Sequence, residues 1–182
     1  MFSRAAPGRF KCDLVTYRYA FAGEIDSDGP LLRYLNDVNR AGIRLINVRG
    51  TLLEPAASAL SSFSQPELIV LKDYTVFIRF NEMFPLGTRD LGEQENLLVY
   101  TERFVIQGQF YTSAERHRLL DYSGPTGRWA VASDAFLQPI VPTGKSAPAT
   151  ARLMLLNKTA IQFFHSARDE VKRAGFPQPG GA

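Results

Sequence analysis

The chain has 182 residues, 45% of them hydrophobic and 12% aromatic, and a net charge of +3. That much apolar surface supports a packed core and excludes intrinsic disorder as the default state. Scattered basic residues and a weak net charge argue against a dedicated nucleic-acid binder. Because Cys12 is the only cysteine, the chain forms no intramolecular disulfide, and a reducing compartment is expected.

The first predicted strand covers residues 13–25, where apolar and aromatic side chains alternate with a period of two. Gly23 inside this run predicts a β-bulge or a sharp bend. After a turn, residues 31–38 predict a short helix or a further turn. Residues 43–53 then predict the next strand, which ends before Pro55.

The next predicted element is a β-hairpin over residues 68–80. Two apolar runs flank the polar pair Lys72 and Asp73, which is typical of a tight turn between strands. Residues 56–66 before it are rich in Ala and Ser and predict a loop.

The second half of the chain repeats this order about 85 positions later: Gly108 follows Gly23 at that distance, and the apolar run 153–156 follows the run 68–71. A repeat of this length predicts two copies of one small unit. Units so small bury little surface alone, so the copies should share a face. The second copy predicts, in order, a strand at 97–110, a turn at 116–122, a strand at 128–137, a loop at 142–150 and a hairpin at 152–164.

These elements predict a mainly β protein of two tandem small antiparallel β-barrel-like repeats, packed as a pseudo-dimer, with a short C-terminal helix. The helix is expected over 166–174, with Gly175 as its C-terminal cap. The predicted boundaries are 10–82 for the first repeat, 83–96 for a linker, 97–165 for the second repeat, and 166–182 for the C-terminal helix and a disordered tail.

Positions that are polar in both copies are the candidate binding residues. Each arginine could pair with a nearby acid and hold its turn, or the arginines could line a groove shared by the two copies. The pairs, with the lysines of the two predicted hairpin turns, are Arg33 and Arg118, Asn36 and Asp121, Arg44 and Arg128, and Lys72 and Lys158.

Catalytic and metal-binding patterns are not found in the sequence. The histidines His117 and His165 lack the spacing and the carboxylates of a metal site. Residues 142–146 contain Gly-Lys-Ser but lack the first glycine of a phosphate-binding loop, and Pro148 disfavours the helix that should follow. We therefore expect no catalytic residue, no metal and no cofactor, although an enzyme is not excluded.

The order of elements in each copy resembles the Sm and Sm-like small β-barrels. The resemblance implies a bent strand, a second strand and a closing hairpin in each copy, and RNA binding as the family activity. The family typically has Arg-Gly in the hairpin turn, where this chain has Lys-Asp and Asn-Lys, so the RNA-contacting pair is not matched. The matching segments are 21–25, 43–48 and 68–76 in the first copy, and 106–110 and 153–161 in the second.

Two further resemblances concern turns. Residues 118–122, Arg-Leu-Leu-Asp-Tyr, are similar to a turn of small uncharacterised bacterial proteins, and residues 33–36 match it more loosely. Residues 37–42 resemble the turn of PilZ domains, which implies a cyclic-dinucleotide ligand; Asn39 replaces the family's serine.

The favoured function is a non-enzymatic binding or assembly module that acts through protein–protein contacts, above all self-association into an oligomer. Exposed sheet edges and an aromatic-rich, arginine-rich composition favour it. Sm-like binding of RNA or single-stranded nucleic acid is the alternative, and a small-ligand sensor is third. With no secretory signal and no run near the about 18 apolar residues of a membrane helix, we expect a cytoplasmic protein without a membrane partner.

Overall fold

The computed structural model describes residues 8–53, 61–84, 86, 91–112, 119–122, 126–140 and 149–167. Over these residues the protein is mainly β, as predicted. Within the same ranges, no helix has the length and apolar character needed to cross a membrane.

Ten strands form a single antiparallel sheet, and the short helix α1 (Leu31–Asn36) connects the second strand to the third. Helix α1 confirms the element predicted at 31–38. The strands are β1 (Gly8–Thr16), β2 (Tyr19–Ser27), β3 (Gly42–Leu52), β4 (Ser62–Leu71), β5 (Thr75–Phe80), β6 (Glu93–Tyr100), β7 (Phe104–Thr112), β8 (Trp129–Pro139), β9 (Thr150–Asn157) and β10 (Phe163–Ser166).

The sheet repeats one strand order twice. Across it the strands run β10-β6-β7-β8-β9-β5-β1-β2-β3-β4, so each half places its fifth strand first, followed by its first to fourth strands. We call β1–β5 the first repeat and β6–β10 the second. Among the described residues no pairing joins β4 to β10, so the sheet is open and has two ends.

Each repeat has a β-bulge opposite a glycine of its second strand. The ladder shifts between Ala22 and Glu24 in the first repeat, and between Gln107 and Gln109 in the second, on either side of Gly23 and Gly108. The opposing strand carries the extra residue, and it has a left-handed backbone there, at Asn47 with φ 54° and at Asp134 with φ 48°. The bulge predicted at Gly23 is therefore confirmed as an irregularity of this ladder, with the extra residue on β3, and the same arrangement occurs at Gly108.

The positions of these bulges correct the predicted alignment of Arg44 with Arg128. Asn47 and Asp134 are 87 positions apart, and the other equivalent residues of β3 and β8 have the same separation. Arg44 lies opposite Ile69 on β4, whereas Arg128 lies just before β8, where its carbonyl accepts from Lys158 N at 3.0 Å. The structural counterpart of Arg128 is Ala41, whose carbonyl accepts from Lys72 N at 2.9 Å. The pairing of Arg44 with Arg128 is therefore wrong.

The long first strand predicted in each copy is two strands. Thr16 breaks the first: its Oγ1 accepts from Tyr19 N at 3.0 Å and donates to Tyr19 O at 3.1 Å. Thr101 makes the same bonds to Phe104, at 3.0 and 3.1 Å. A threonine hydroxyl can close a tight turn that neither glycine nor proline marks.

The two predicted hairpins are wrong. β4 pairs with β3 and β5 pairs with β1, and in the second repeat β9 pairs with β8 while β10 pairs with β6. A 3-10 turn, Lys72–Tyr74 or Lys158–Ala160, separates the two apolar runs in each repeat. Because a 3-10 turn does not lay its flanking strands side by side, each run pairs elsewhere.

Three predicted boundaries also move. β4 begins at Ser62, inside the predicted loop, and β6 begins at Glu93, inside the predicted linker. β10 extends to Ser166, the first residue of the predicted C-terminal helix. Residues 168–182, which hold the rest of that helix and the tail, lie outside the described residues.

Two hydrophobic clusters form the interior, and each contains side chains from both repeats. The cluster centred on the first repeat also contains Trp129, Val131, Leu153 and Leu155 from β8 and β9. The cluster centred on the second repeat also contains residues of the first, namely Val15, Ala20, Leu53, Val76 and Phe77. Neither repeat therefore completes its core alone.

Candidate functional site: the junction between the repeats

The two repeats join where β5 pairs antiparallel with β9. Four residue pairs form this ladder, from Phe77 opposite Leu156 to Phe80 opposite Leu153. Because side chains alternate across a sheet, Phe77 and Leu156 enter one cluster, whereas Ile78 and Leu155 enter the other. All four of these side chains are fully buried. The junction thus links the two hydrophobic clusters through a single pair of strands.

Asn157, the last residue of β9, clamps one end of this ladder. Its Nδ2 donates to the Lys72 and Thr75 carbonyls at 3.0 and 2.9 Å, and both carbonyls belong to the 3-10 turn region of the first repeat. Its Oδ1 accepts from the Thr159 amide and hydroxyl. Since the side chain is fully buried, these bonds compensate for its loss of water.

Asn36, the last residue of α1, makes a second clamp across the junction. Its Nδ2 donates to Thr126 O at 2.9 Å, and its Oδ1 accepts from Arg128 N at 3.0 Å. These two bonds hold the loop at residues 126–128, which contains Gly127 in a left-handed conformation, φ +57°. A Cβ on that glycine would lie 2.6 Å from Asn36 Oδ1, so only glycine permits this approach.

Replacing Gly127 by alanine is therefore expected to destabilise the protein by about 2 kcal/mol, through left-handed strain and displacement of Asn36. Urea denaturation would measure the loss. Gly29→Ala is the matched control, because a Cβ there meets no atom within 4 Å. Equal losses in the two variants would contradict the role of Gly127.

Arg128 adds an ion pair to the junction. Its Nη1 lies 2.7 Å from Asp73 Oδ1, in the 3-10 turn of the first repeat. The Asp73 side chain is 79% exposed, so this bridge contributes no more than about 1 kcal/mol. Arg128 thus pairs with an acid of the other repeat and connects the two repeats at the junction.

The lysines Lys72 and Lys158 are equivalent residues that open the two 3-10 turns, and both are buried. Lys158 Nζ donates to the carbonyls of Asp121 and Gly127, each at 2.6 Å. Lys72 Nζ donates to Asp37 O at 2.8 Å. Both lysines stabilise loops by donating hydrogen bonds to backbone carbonyls. Lys158 thereby stabilises the same loop, residues 126–128, to which Asn36 is hydrogen-bonded.

Burial lowers the pKa of Lys158 from 10.5 to about 8, against the opposing effect of Asp121. Between these values the unfolded chain binds more protons than the folded one, so stability should rise with pH from about 8 to 10.5. We expect this rise in melting temperature for the natural protein and a smaller one for Lys158→Met. The difference between the two melting curves cancels the contribution of groups that titrate in both the natural protein and the variant. Parallel curves would show that Lys158 is not the titrating group.

The four remaining candidate residues occupy different places. Arg33 is exposed on α1, and Arg44 forms an ion pair with Glu67 on β4 at 2.8 Å. Asp121 contributes its carbonyl to Lys158. Arg118 lies outside the described residues.

The PilZ-like turn is held by its own side chains. Asp37 Oδ1 accepts from Asn39 N at 3.0 Å, and that bond is the main reason that the pKa of Asp37 is lowered. Arg40 forms ion pairs with Asp28 and Asp37 at 2.9 and 3.2 Å. These contacts make it a locally paired turn.

The sequence interpretation missed the junction residues Asn157, Asp73 and Gly127. Asn157 offered a signal, since an amide directly after a long apolar run needs buried partners if the run is a core strand. Comparison of the chain with known protein families, with curated proteins and with solved structures finds no match. The function is therefore inferred from the junction and the sheet ends.

Proposed function

We propose that the protein is a non-enzymatic assembly module in which two barrel-like repeats form a pseudo-dimer and the ends of the sheet bind other protein chains. One observation carries this proposal: β4 and β10 each have a hydrogen-bonded strand neighbour on one side only, within the described part of the chain. An edge strand presents unpaired amide and carbonyl groups to a second strand.

The exposed apolar side chains near these ends support a protein partner. Ile69 and Leu71 of β4 are 63% and 47% exposed, and Phe163 of β10 is 55% exposed. Scattered single apolar residues are ordinary on a surface, but a cluster along an unpaired strand favours strand addition by a protein.

Light scattering after size exclusion, over a range of concentrations and at low and high salt, tests the proposal. We expect a mass above the 20.3 kDa of one chain that rises with concentration and persists at high salt. A monomer under every condition would refute self-association.

The nucleic-acid alternative has one supporting observation, a groove of about 760 Å³ whose lining includes Arg9, Lys11 and Arg49. Asp13 and Glu24 line the same groove, so its charge is mixed. Recording absorbance at 260 and 280 nm during the same experiment separates the two functions. Co-purified nucleic acid that is lost at high salt would favour this alternative.

A further inference from the structure

The two ends of the sheet have complementary strands, and we propose that chains associate head to tail. In this contact β10 of one chain pairs with β4 of the next chain, as the equivalent strands β5 and β9 pair within one chain. This inference rests on the proposed assembly function and identifies the partner as a second copy of the chain.

The junction within one chain is asymmetric, which is the basis of this proposal. It pairs the fourth strand of the second repeat with the fifth strand of the first. A contact between two unlike surfaces leaves one copy of each surface unused at opposite ends. β4 is the unused fourth strand, and β10 is the unused fifth strand. The backbone geometry required at the new contact therefore already occurs once inside the chain.

The equivalence of the strands fixes a register. Leu71 and Asn157 each precede a 3-10 turn, so β4 and β9 are related by 86 positions. Phe77 and Phe163 lie opposite equivalent residues of β1 and β6, so β5 and β10 are related by 86 positions as well. Shifting the junction ladder by 86 positions places Phe163 opposite Val70, Phe164 opposite Ile69, His165 opposite Leu68 and Ser166 opposite Glu67. Pro66, which has no amide hydrogen, lies just beyond the last of these pairs.

Side chains buried at the junction have exposed apolar counterparts at the free ends. Leu53 and Phe77 are fully buried against the second repeat, whereas their counterparts Ile140 and Phe163 are 51% and 55% exposed. The equivalence of Leu53 and Ile140 follows from their amides, which donate to Arg18 O and Arg103 O, each in the turn between the first and second strands of a repeat. These exposed side chains are the ones that a repeated junction would cover.

The other free end shows the same relation. Leu155 of β9 is fully buried against the first repeat, and its counterpart Ile69 of β4 is 63% exposed. Repeating the junction would place Ile69 opposite Phe164, which is half-buried on β10. Each end thus supplies apolar surface to the other.

The polar clamps of the junction are not repeated at the free ends. Leu71 occupies the position of Asn157, and Ala41 and Thr159 occupy the positions of Arg128 and Asp73. The contact between chains therefore has strand pairing and apolar burial without the amide clamp or the ion pair. We expect an association weaker than the internal junction and dependent on concentration.

Cysteine cross-linking between two variants of the full chain tests the register. Glu67→Cys and Ser166→Cys are prepared separately, mixed, and oxidised under mild conditions. Directly opposed residues of an antiparallel pair lie about 4.5–5.5 Å apart between Cα atoms, within the range of a disulfide. The native Cys12 is buried and its pKa is raised by that burial, so unmodified protein serves as the unreactive control.

We expect a covalent dimer from the mixture and none from either variant alone. Ser64→Cys replaces Glu67→Cys as the out-of-register control, since three residues along a strand displace a Cα by about 10 Å. Self-linking of Glu67→Cys would show symmetric pairing of β4 with β4 and overturn the head-to-tail contact. Association by light scattering without the mixed cross-link would overturn the register and leave the assembly function standing, whereas a monomer would refute both.

A matched pair of surface variants tests the apolar contact independently. Ile69→Lys should shift the midpoint of association to at least tenfold higher concentration, because it places a charge opposite Phe164. Met83→Lys alters a similarly exposed apolar residue, 54% exposed in the segment between the repeats, and should not shift the midpoint. Equal midpoints for the two variants would contradict the proposed contact.

Discussion

Replacement of Trp129 by alanine is expected to lower the free energy of unfolding by about 3–5 kcal/mol, the largest loss that we predict for a single substitution. Trp129 belongs to the second repeat, but its fully buried ring packs in the cluster centred on the first. Removing it leaves a cavity at the place where the repeats depend on each other. Chemical denaturation followed by far-ultraviolet circular dichroism measures the loss.

Trp129→Phe is the matched control for this prediction. The indole Nε1 is buried without a hydrogen-bond partner among the described residues. Replacement by phenylalanine therefore removes part of the ring packing and no hydrogen bond. We expect a loss of about 1–2 kcal/mol for it. If alanine costs no more than phenylalanine, the ring does not support the first cluster.

Asn157→Leu should cost about 2–4 kcal/mol, because it removes a buried amide that hydrogen-bonds through both its nitrogen and its oxygen. Leucine has nearly the same size, so the substitution removes the donor to Lys72 O and Thr75 O and the acceptor of the Thr159 amide and hydroxyl with little change in volume. Thermal and urea denaturation would record the loss.

The reciprocal variant Leu71→Asn controls for the amide itself. Leu71 is the counterpart of Asn157 at the free end of the sheet and is 47% exposed. Since an exposed amide can bond to water, this substitution should change stability by no more than about 0.5 kcal/mol. A neutral Asn157→Leu would instead show that the clamp does not stabilise the junction.

Local patterns predicted the parts of the fold that local physics determines. Period-two alternation identified the β class, and Gly23 identified the position of the bulge in the first repeat. The turn at Thr16 was missed because a threonine hydroxyl replaces the usual glycine or proline there. The repeat itself was visible, but insertions between strands shifted its offset and misaligned Arg44 with Arg128.

Strand partners were the part that the sequence could not determine. The runs on either side of Lys72 look like a hairpin, because neighbouring apolar runs usually pair. Here β4 and β5 gain more by pairing with β3 and β1, and the residues that decide this outcome are far apart in the chain. For the same reason, Asn36, Lys72, Arg128 and Lys158 were recognised as candidates although their common place at the junction was not.

Because the two cores are shared, we expect the junction between the repeats to form late in folding. Phe77 and Leu156 pair although they are 79 residues apart (156 − 77), so the ladder closes a long loop. Sheets with such distant partners fold on the order of milliseconds to seconds, after local contacts have formed. During synthesis the first repeat emerges before the Trp129 that completes its core, and its β5 edge stays uncovered until β9 follows. We therefore expect the yield of native protein to depend on translation speed and on chaperone protection in that interval.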